Sequence, residues 1–307
     1  MDNSFHIVCD EDDTRLDVFL SERLSLTRTK TKDMIEGGHV RVEGKLPKPS
    51  LKTKKSMEIT GEIPEEAPLS LTPEDIPLDI LYEDEYLLAV NKPGDMVVHP
   101  SFGHASGTLV NAVLAHLGRK FEISNLKSQI ESGVRPGIVH RLDKGTTGVI
   151  LVAKDSKMQE MLSDLFKERN ITKTYRAIVE GDVKKERWVI EGNIGRHPIE
   201  RKKMAVLKTG GRAAETTFQV LKRLKEFTYL EAYPKTGRTH QIRVHAAYGG
   251  YPIVGDEIYG KKAKSLMPRP LLHAYRIEFI HPAKKIPVKI EAPVPLDMEE
   301  FIEAHTI

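Results

Sequence analysis

The chain is poor in cysteine and tryptophan, with one of each in 307 residues. A lone Cys9 excludes an internal disulfide and any multi-cysteine zinc site, so its thiol reads as half-buried and inert. Aromatic residues make up only 6% of the chain. No apolar run approaches the ~18 residues that mark a membrane-spanning helix. The opening stretch MDNSFHIVCDEDDT is acidic and lacks the basic start and apolar core of a secretion signal, so the expectation is a cytoplasmic protein without a membrane partner. A P-loop and a dinucleotide fingerprint are also missing. Net charge is small, +3 from 47 Lys+Arg against 44 Asp+Glu. A polyanion would therefore have to be held by local clusters of cations. Hydrophobic content of 39% and charged content of 30% fit a globular chain of one large domain or two.

What is present divides at a proline- and acid-rich stretch. Residues 14–26 place Leu16, Phe19, Leu20 and Leu24 at helical spacing. Residues 27–38 read as a second helix capped by Thr27 or Thr29, with Met34 and Ile35 inward and Gly37–Gly38 at its end. HVRVEGK (39–45) alternates as a strand that breaks at Gly44, and MEIT (57–60) is another. Lys30 and Lys32, with Lys45 and the lysines up to Lys55, would give this small module a basic face. The expected organisation is a small domain over 1–62, a linker over 63–77 without either period, and a larger domain over 78–307.

The larger part alternates between strands and few helices. LLAVNKP (87–93) reads as a strand entering a turn, and NKPGDMVVHP as strand, turn and strand. Residues 107–118 form an amphipathic helix, and 119–136 a polar loop. GVILVAK (148–154) is a buried strand, after which Asp155 caps a helix carrying Met158, Leu162 and Leu165 on one face. Strands follow in KTYRAIVEG, ERWVIEGNI, AETTFQVLKRL and FTYLEAYP, then a helix from Thr239 to Gly249, two more strands and a short C-terminal helix. Many strands with few helices predict an α+β fold built on a large mixed, mainly antiparallel sheet with flanking helices.

Two stretches carry chemistry. In GIVHRLDKGTTG, strand residues Ile138 and Val139 would deliver His140, Arg141 and Asp143 to a loop that Gly145 and Gly148 make pliable. A carboxylate at such an edge is costly to desolvate and can act as nucleophile or general base. A surface cap or a pair with Lys144 is the alternative, but His, Arg, Asp and Lys within five positions against a buried strand favour function. In KTGRTHQIRVH (235–245), His240, Arg243 and Val244 share a helix face, and Arg243 is placed to reach a carboxylate in a cleft. Arg238 would sit at the helix mouth, where backbone N–H groups favour anions. His240 and His245 lack acidic companions, so no metal site is expected. Tyr175 faces the same side of its strand as Ala177 and could stack on a flat ring. RHPIERKKM (196–204), with Lys208 and Arg212, forms a second basic patch.

Taken in order, NKPGDMVVHP, GIVHRLDKGTTG, KTYRAIV and KTGRTHQIRVH resemble the motifs of the RluA-type pseudouridine synthases. The N-terminal part, LDVFLSERLSLTRTKTKDMIEGGHVRVEGK, resembles an S4 RNA-binding module. The resemblance covers nearly the whole chain and implies enzymes that isomerise uridine in RNA without a cofactor, most closely those acting on large-subunit ribosomal RNA. It implies Asp143 as nucleophile, Arg243 as its ionic partner, Tyr175 as the ring stacking on the uracil, and Arg141 as the side chain filling the gap left by a flipped nucleotide. Gly145 and Thr147 stand where the commonest loop, HRLDKDTSG, has aspartate and serine. The expected partner is RNA, with no obligate protein partner and a monomeric state. The same chemistry on transfer RNA, a non-catalytic RNA-binding protein and a glycoside hydrolase are the rivals. The last lacks an evident second carboxylate.

Overall fold

The computed structural model describes residues 4–26, 28–64, 72–99, 106–118, 137–200 and 203–307. The chain falls into two units, Met1–Leu69 and Ser70–Ile307. Thr27 and the side chain of Thr29, the loop 119–136 and the middle of the stretch 63–77 lie outside the described residues.

In the first unit, β1 (Ser4–Val8), β2 (Val40–Val42) and β3 (Glu58–Glu62) form an antiparallel sheet in the order β1-β3-β2. Helices α1 (Leu16–Arg23) and α2 (Arg28–Glu36) supply its core. Leu16, Phe19, Leu20, Met34 and Ile35, the positions picked out by helical spacing, are all buried with Val40, Val42 and Ile59. β1 was not anticipated, because five residues that are exposed on every second position give too short an alternation to stand out. Buried Asp17 accepts hydrogen bonds from Arg15 and Arg28 at 3.0 Å each. Burial would raise its pKa, but the two guanidiniums hold it below the ordinary carboxylate value.

The second unit is organised by a ten-stranded sheet. Its strands are β4 (Ile80–Glu83), β5 (Leu87–Lys92), β6 (Thr147–Ala153), β7 (Ile171–Glu180), β8 (Arg187–Arg196), β9 (Met204–Leu207), β10 (Arg212–Arg223), β11 (Phe227–Pro234), β12 (Leu272–Ile280) and β13 (Pro287–Glu291). They run in the order β4-β5-β6-β12-β7-β11-β10-β8-β9, with β13 beside β12. Every pairing is antiparallel except β6 with β12, which meet in parallel only at Thr147–Gly148. All seven residues of β6 are buried, the continuous apolar pattern of a strand covered on both faces. Edge strand β9 escaped notice because its four half-buried residues follow a basic run.

Helices α3 (Leu109–Gly118), α4 (Ser156–Glu168), α5 (Gln241–Tyr248) and α6 (Leu296–Ala304) flank the sheet. Asp155 caps α4 by accepting from the Met158 backbone N–H at 2.7 Å. Met158 and Leu162 then pack with Leu87, Leu151 and Phe279 in one core cluster. A second cluster joins Ala177, Phe218, Leu230 and Ile242, and a third joins Leu88, Val90, Ile150 and Leu142, with Tyr175 against both.

Candidate active site

The run leading to Asp143 is not a strand, contrary to expectation. Only Ile138 forms a bridge, to Val152, and Ala153 donates its N–H to the Gly137 carbonyl. At the next position the His140 Nε2 accepts the Leu151 N–H at 2.8 Å, so a side chain stands in for the missing backbone acceptor. The ring stacks on Phe166 with centroids 4.6 Å apart, and burial pulls its pKa down to about 3. His140 lines the cleft as a neutral anchor whose Nε2 is already engaged.

The glycines of this stretch make room for neighbouring protein atoms. A Cβ on Gly137 would lie 2.2 Å from the Ala153 carbonyl oxygen. One on Gly148, whose φ is +107°, would lie 2.2 Å from that of Ala274, and this close approach is what lets β6 meet β12. A Cβ on Gly145 would meet Pro270 at 2.8 Å.

The loop between them is tied down. Thr146 donates its N–H to the Asp143 carbonyl at 3.0 Å, closing a turn. Arg269, held by Asp297 at 2.8 and 2.6 Å, reaches the Gly145 carbonyl at 3.3 Å. Buried Lys92 donates to the carbonyls of Pro93, Met96 and Lys144 at 2.6, 2.8 and 3.1 Å. Burial pulls this ammonium down to about 7, whereas the three acceptors favour it, since only the ammonium has three protons to donate. The segment after Pro93 holds no second strand among its described residues, 94–99. It is shaped instead by these bonds to Lys92.

Asp143 meets its partner from across the sheet. Arg243, on α5, places Nη1 3.0 Å from Asp143 Oδ2. Its other edge is gripped by Asp256, with Nε–Oδ2 at 2.7 Å and Nη2–Oδ1 at 2.8 Å. Asp256 is fully buried and also accepts the backbone N–H groups of Ile258 and Tyr259. Burial alone would weaken the Arg243 cation, but hydrogen bonds and charge from Asp256, and then from Asp143, hold its pKa above the ordinary value. The Tyr259 ring lies under the guanidinium at 5.3 Å, so the arginine is fixed on three sides.

The helix carrying Arg243 starts one residue later than the Thr239 cap would place it. His240 occupies the N-cap in the left-handed region, φ 56°, with no side-chain cap. Gln241 ties the preceding turn instead. It accepts from the Thr236 hydroxyl and the Arg238 N–H, and donates to the Glu215 carbonyl and Thr216 hydroxyl. His240 turns Nε2 to within 3.8 Å of Asp143 and hydrogen-bonds Tyr259 through Nδ1, and burial lowers its pKa. His245 is buried against Thr216 and drawn down to about 4 by burial. Among the described residues no acidic and histidine side chains gather as a metal site would require.

These groups surround a cleft of about 480 Å³, the size class of small-ligand pockets. Asp143, 21% exposed, is the one carboxylate among the described lining residues, against eight lysines and arginines. Tyr175 forms part of the wall, and its phenol is pushed well above the ordinary range by burial and then by the charge of Asp143, so it stays neutral. Arg141 is exposed at the cleft and makes no ion pair among the described residues. Arg238 donates through Nε to the Ala213 carbonyl at 3.1 Å.

In the first unit Lys45 is exposed beside the Gly44 turn, while Lys32 pairs with Glu36 at 3.4 Å and Arg28 with Asp17. Lys30 lies half-buried on α2.

The family model described as RNA pseudouridylate synthase matches residues 86–248, which hold the whole Asp143–Arg243 pair, and the S4 domain model matches 14–59. A Bacillus subtilis protein named as an RNA pseudouridine synthase, YlyB, is 40% identical over 290 residues, 94% of this chain and 93% of its own. The chain belongs to the RNA pseudouridine synthase family. Ribosomal large subunit pseudouridine synthase D of Neisseria meningitidis is also 40% identical, over 94% of this chain and 78% of its own. Human RNA Pseudouridylate Synthase Domain Containing 1 shares the fold, with a TM-score of 0.56 at 24% identity over 75% of this chain and 95% of its own. The α+β pseudouridine synthase fold expected from the sequence is thus found. So is the RNA partner, at the level of class.

Sequence reasoning paired Asp143 with Arg243 but overlooked Asp256, Gln241, Tyr259 and Lys92 as parts of one assembly. Asp256 lies in GDEIYG (255–260), where nothing in the spacing points back to Arg243.

Proposed function

We propose that this pseudouridine synthase isomerises specific uridines of large-subunit ribosomal RNA, acting as a cytoplasmic monomer, with residues 1–62 as the RNA-docking domain and 78–307 as the catalytic domain. The observation that carries the assignment is Asp143, the one carboxylate among the described residues of a cation-lined cleft, held by Arg243 at 3.0 Å. The relatives named as large-subunit ribosomal RNA synthases support the substrate class.

The reaction breaks the N1–C1′ bond of uridine, turns the ring and joins C5 to C1′. One proton leaves C5 and one is taken up at N1, so substrate and product are isomers and no electrons leave the system. The target base must first leave its stack and enter a dry pocket. Arg141, exposed at the cleft, is suited to occupy the vacated space, and the neutral Tyr175 ring to lie against the uracil. Asp143 then acts as the nucleophile, at the sugar or on the ring. The Arg243 guanidinium, fixed by Asp256, balances its charge in the desolvated site.

The test is to map pseudouridine in ribosomal RNA from cells with and without the gene, complemented by the wild type or by Asp143→Asn. The expected result is a small set of positions restored by the wild type alone. Restoration by a folded Asp143→Asn protein would refute the assignment.

A further inference from the structure

Six cations of the cleft, Arg141, Lys167, Arg169, Lys173, Arg212 and Arg238, have no carboxylate within ion-pair distance among the described residues. Elsewhere on this unit cations are commonly matched, as in Arg223 with Glu186, Arg269 with Asp297 and Lys284 with Asp84. In a chain of net charge +3, unmatched charge gathered at one cleft needs a reason.

Four of the six act on one another. Burial and then the charges of Arg212 and Arg169 press Arg238 below its ordinary pKa, and burial and then Arg169 do the same to Lys173. Three elements bring them together: Arg169 just after α4, Lys173 on β7, Arg212 at the start of β10, with Arg238 on the turn before α5. Lys173 projects from the same side of its strand as Tyr175, so it faces the cleft.

Arg169 adds an independent observation. It closes α4 in the left-handed region, φ 65°, where glycine is the favoured residue. The backbone there would be better served by glycine, and among the described residues the arginine brings a charge that pairs with no carboxylate. A position that opposes both local conformation and local electrostatics is one where a ligand supplies the missing term.

We propose that Arg169, Lys173, Arg212 and Arg238 form a binding site for phosphodiester groups of the RNA strand that carries the target uridine. The inference rests on the reading above and adds to it the place where the backbone is held while the base is flipped. Phosphate oxygens would relieve the mutual repulsion of the four cations, and Arg238, already oriented by the Ala213 carbonyl, is positioned before RNA arrives.

The test uses the full chain and a stem-loop RNA containing an unmodified target uridine. Arg169→Gly suits the backbone and removes the charge, Arg212→Gln removes a second charge, and Lys157→Gln, on the exposed first turn of α4, is the control. Each cluster variant is expected to weaken RNA binding about tenfold, the scale of one charge-assisted hydrogen bond. Each should also reduce the slope of log Kd against log salt by about 0.7. Arg169→Gly should be at least as stable as wild type, so its loss of RNA affinity cannot come from unfolding. Arg212→Lys should restore the slope.

Unchanged Kd and slope in both cluster variants, while the wild type still makes pseudouridine, would overturn the phosphate site alone. Equal losses in Lys157→Gln would overturn it too, since any surface cation would then serve. Failure of the wild type to form pseudouridine would instead strike the proposed function.

Discussion

Asp256→Asn isolates the part of the site that touches no substrate. The carboxylate makes two hydrogen bonds to Arg243, at 2.7 and 2.8 Å, and accepts two backbone N–H groups through Oδ1. Asparagine keeps an oxygen for part of this set but removes the charge and offers an amide N–H to a guanidinium that can only donate. Arg243, 7% exposed, then retains Asp143 as its one carboxylate. Removing one partner of a buried ion pair costs about 3–5 kcal/mol, and the retained oxygen places the expectation near about 3 kcal/mol of folding stability. The guanidinium would relax toward Asp143 and shift the nucleophile. A misplacement of about 1 Å costs on the order of 100-fold in rate. Single-turnover pseudouridine formation should therefore fall about 100-fold while Kd for RNA stays within about threefold, because Asp256 lies behind the cleft and contributes no cation. A rate within about threefold of wild type would refute the argument that Asp256 positions Arg243. A parallel loss of RNA affinity would show that the whole cleft had collapsed.

Three further outcomes are expected. Gly148→Ala puts a Cβ 2.2 Å from the Ala274 carbonyl at φ +107°, so chemical denaturation followed by the fluorescence of Trp188, the sole tryptophan, should show a loss of about 3 kcal/mol or more. Lys92→Met strands three carbonyls, each about 1–3 kcal/mol when unsatisfied, and frees the Lys144 carbonyl; the denaturation midpoint and the rate of pseudouridine formation should both fall, and a midpoint equal to wild type would show that relief of the buried charge outweighs the lost bonds. Burial holds the pKa values of His245 and His273 at about 4 and of His140 at about 3, below the ordinary 6.5. The unfolded chain takes up these protons first, so stability should hold above pH about 6.5 and decline toward pH about 4, by at most about 4 kcal/mol per pH unit if all three titrate together. A denaturation midpoint flat across that window would contradict the burial of these rings.

The helices and most strands were legible because their residues carry a local period. Leu16, Phe19 and Leu20 recur at helical spacing, β6 is an unbroken apolar run, and Asp155 precedes an apolar face as a cap should. Asp143 and Arg243 were legible as a pair because the order of motifs resembles a known family, not because anything in their spacing, a hundred residues apart, brings them together. Elements without a period were lost: β1 and β9 are short edge strands, and residues 137–140 pair through one bridge and one histidine ring.

The sequence by itself determined the types of element, the family and the identity of the acid and its arginine, since these depend on residue kind and local order. Only the tertiary structure decided what holds them. Asp256 reaches Arg243 from a turn, Lys92 ties down the Asp143 loop from about fifty residues away, and Gly137 and Gly148 admit the backbones of Ala153 and Ala274. Four cations from three elements and a turn likewise become one site only when β7, β10 and the turn before α5 are laid around the same cleft. Local chemistry is written in the order of residues, whereas contact between distant residues depends on how the sheet pairs its strands.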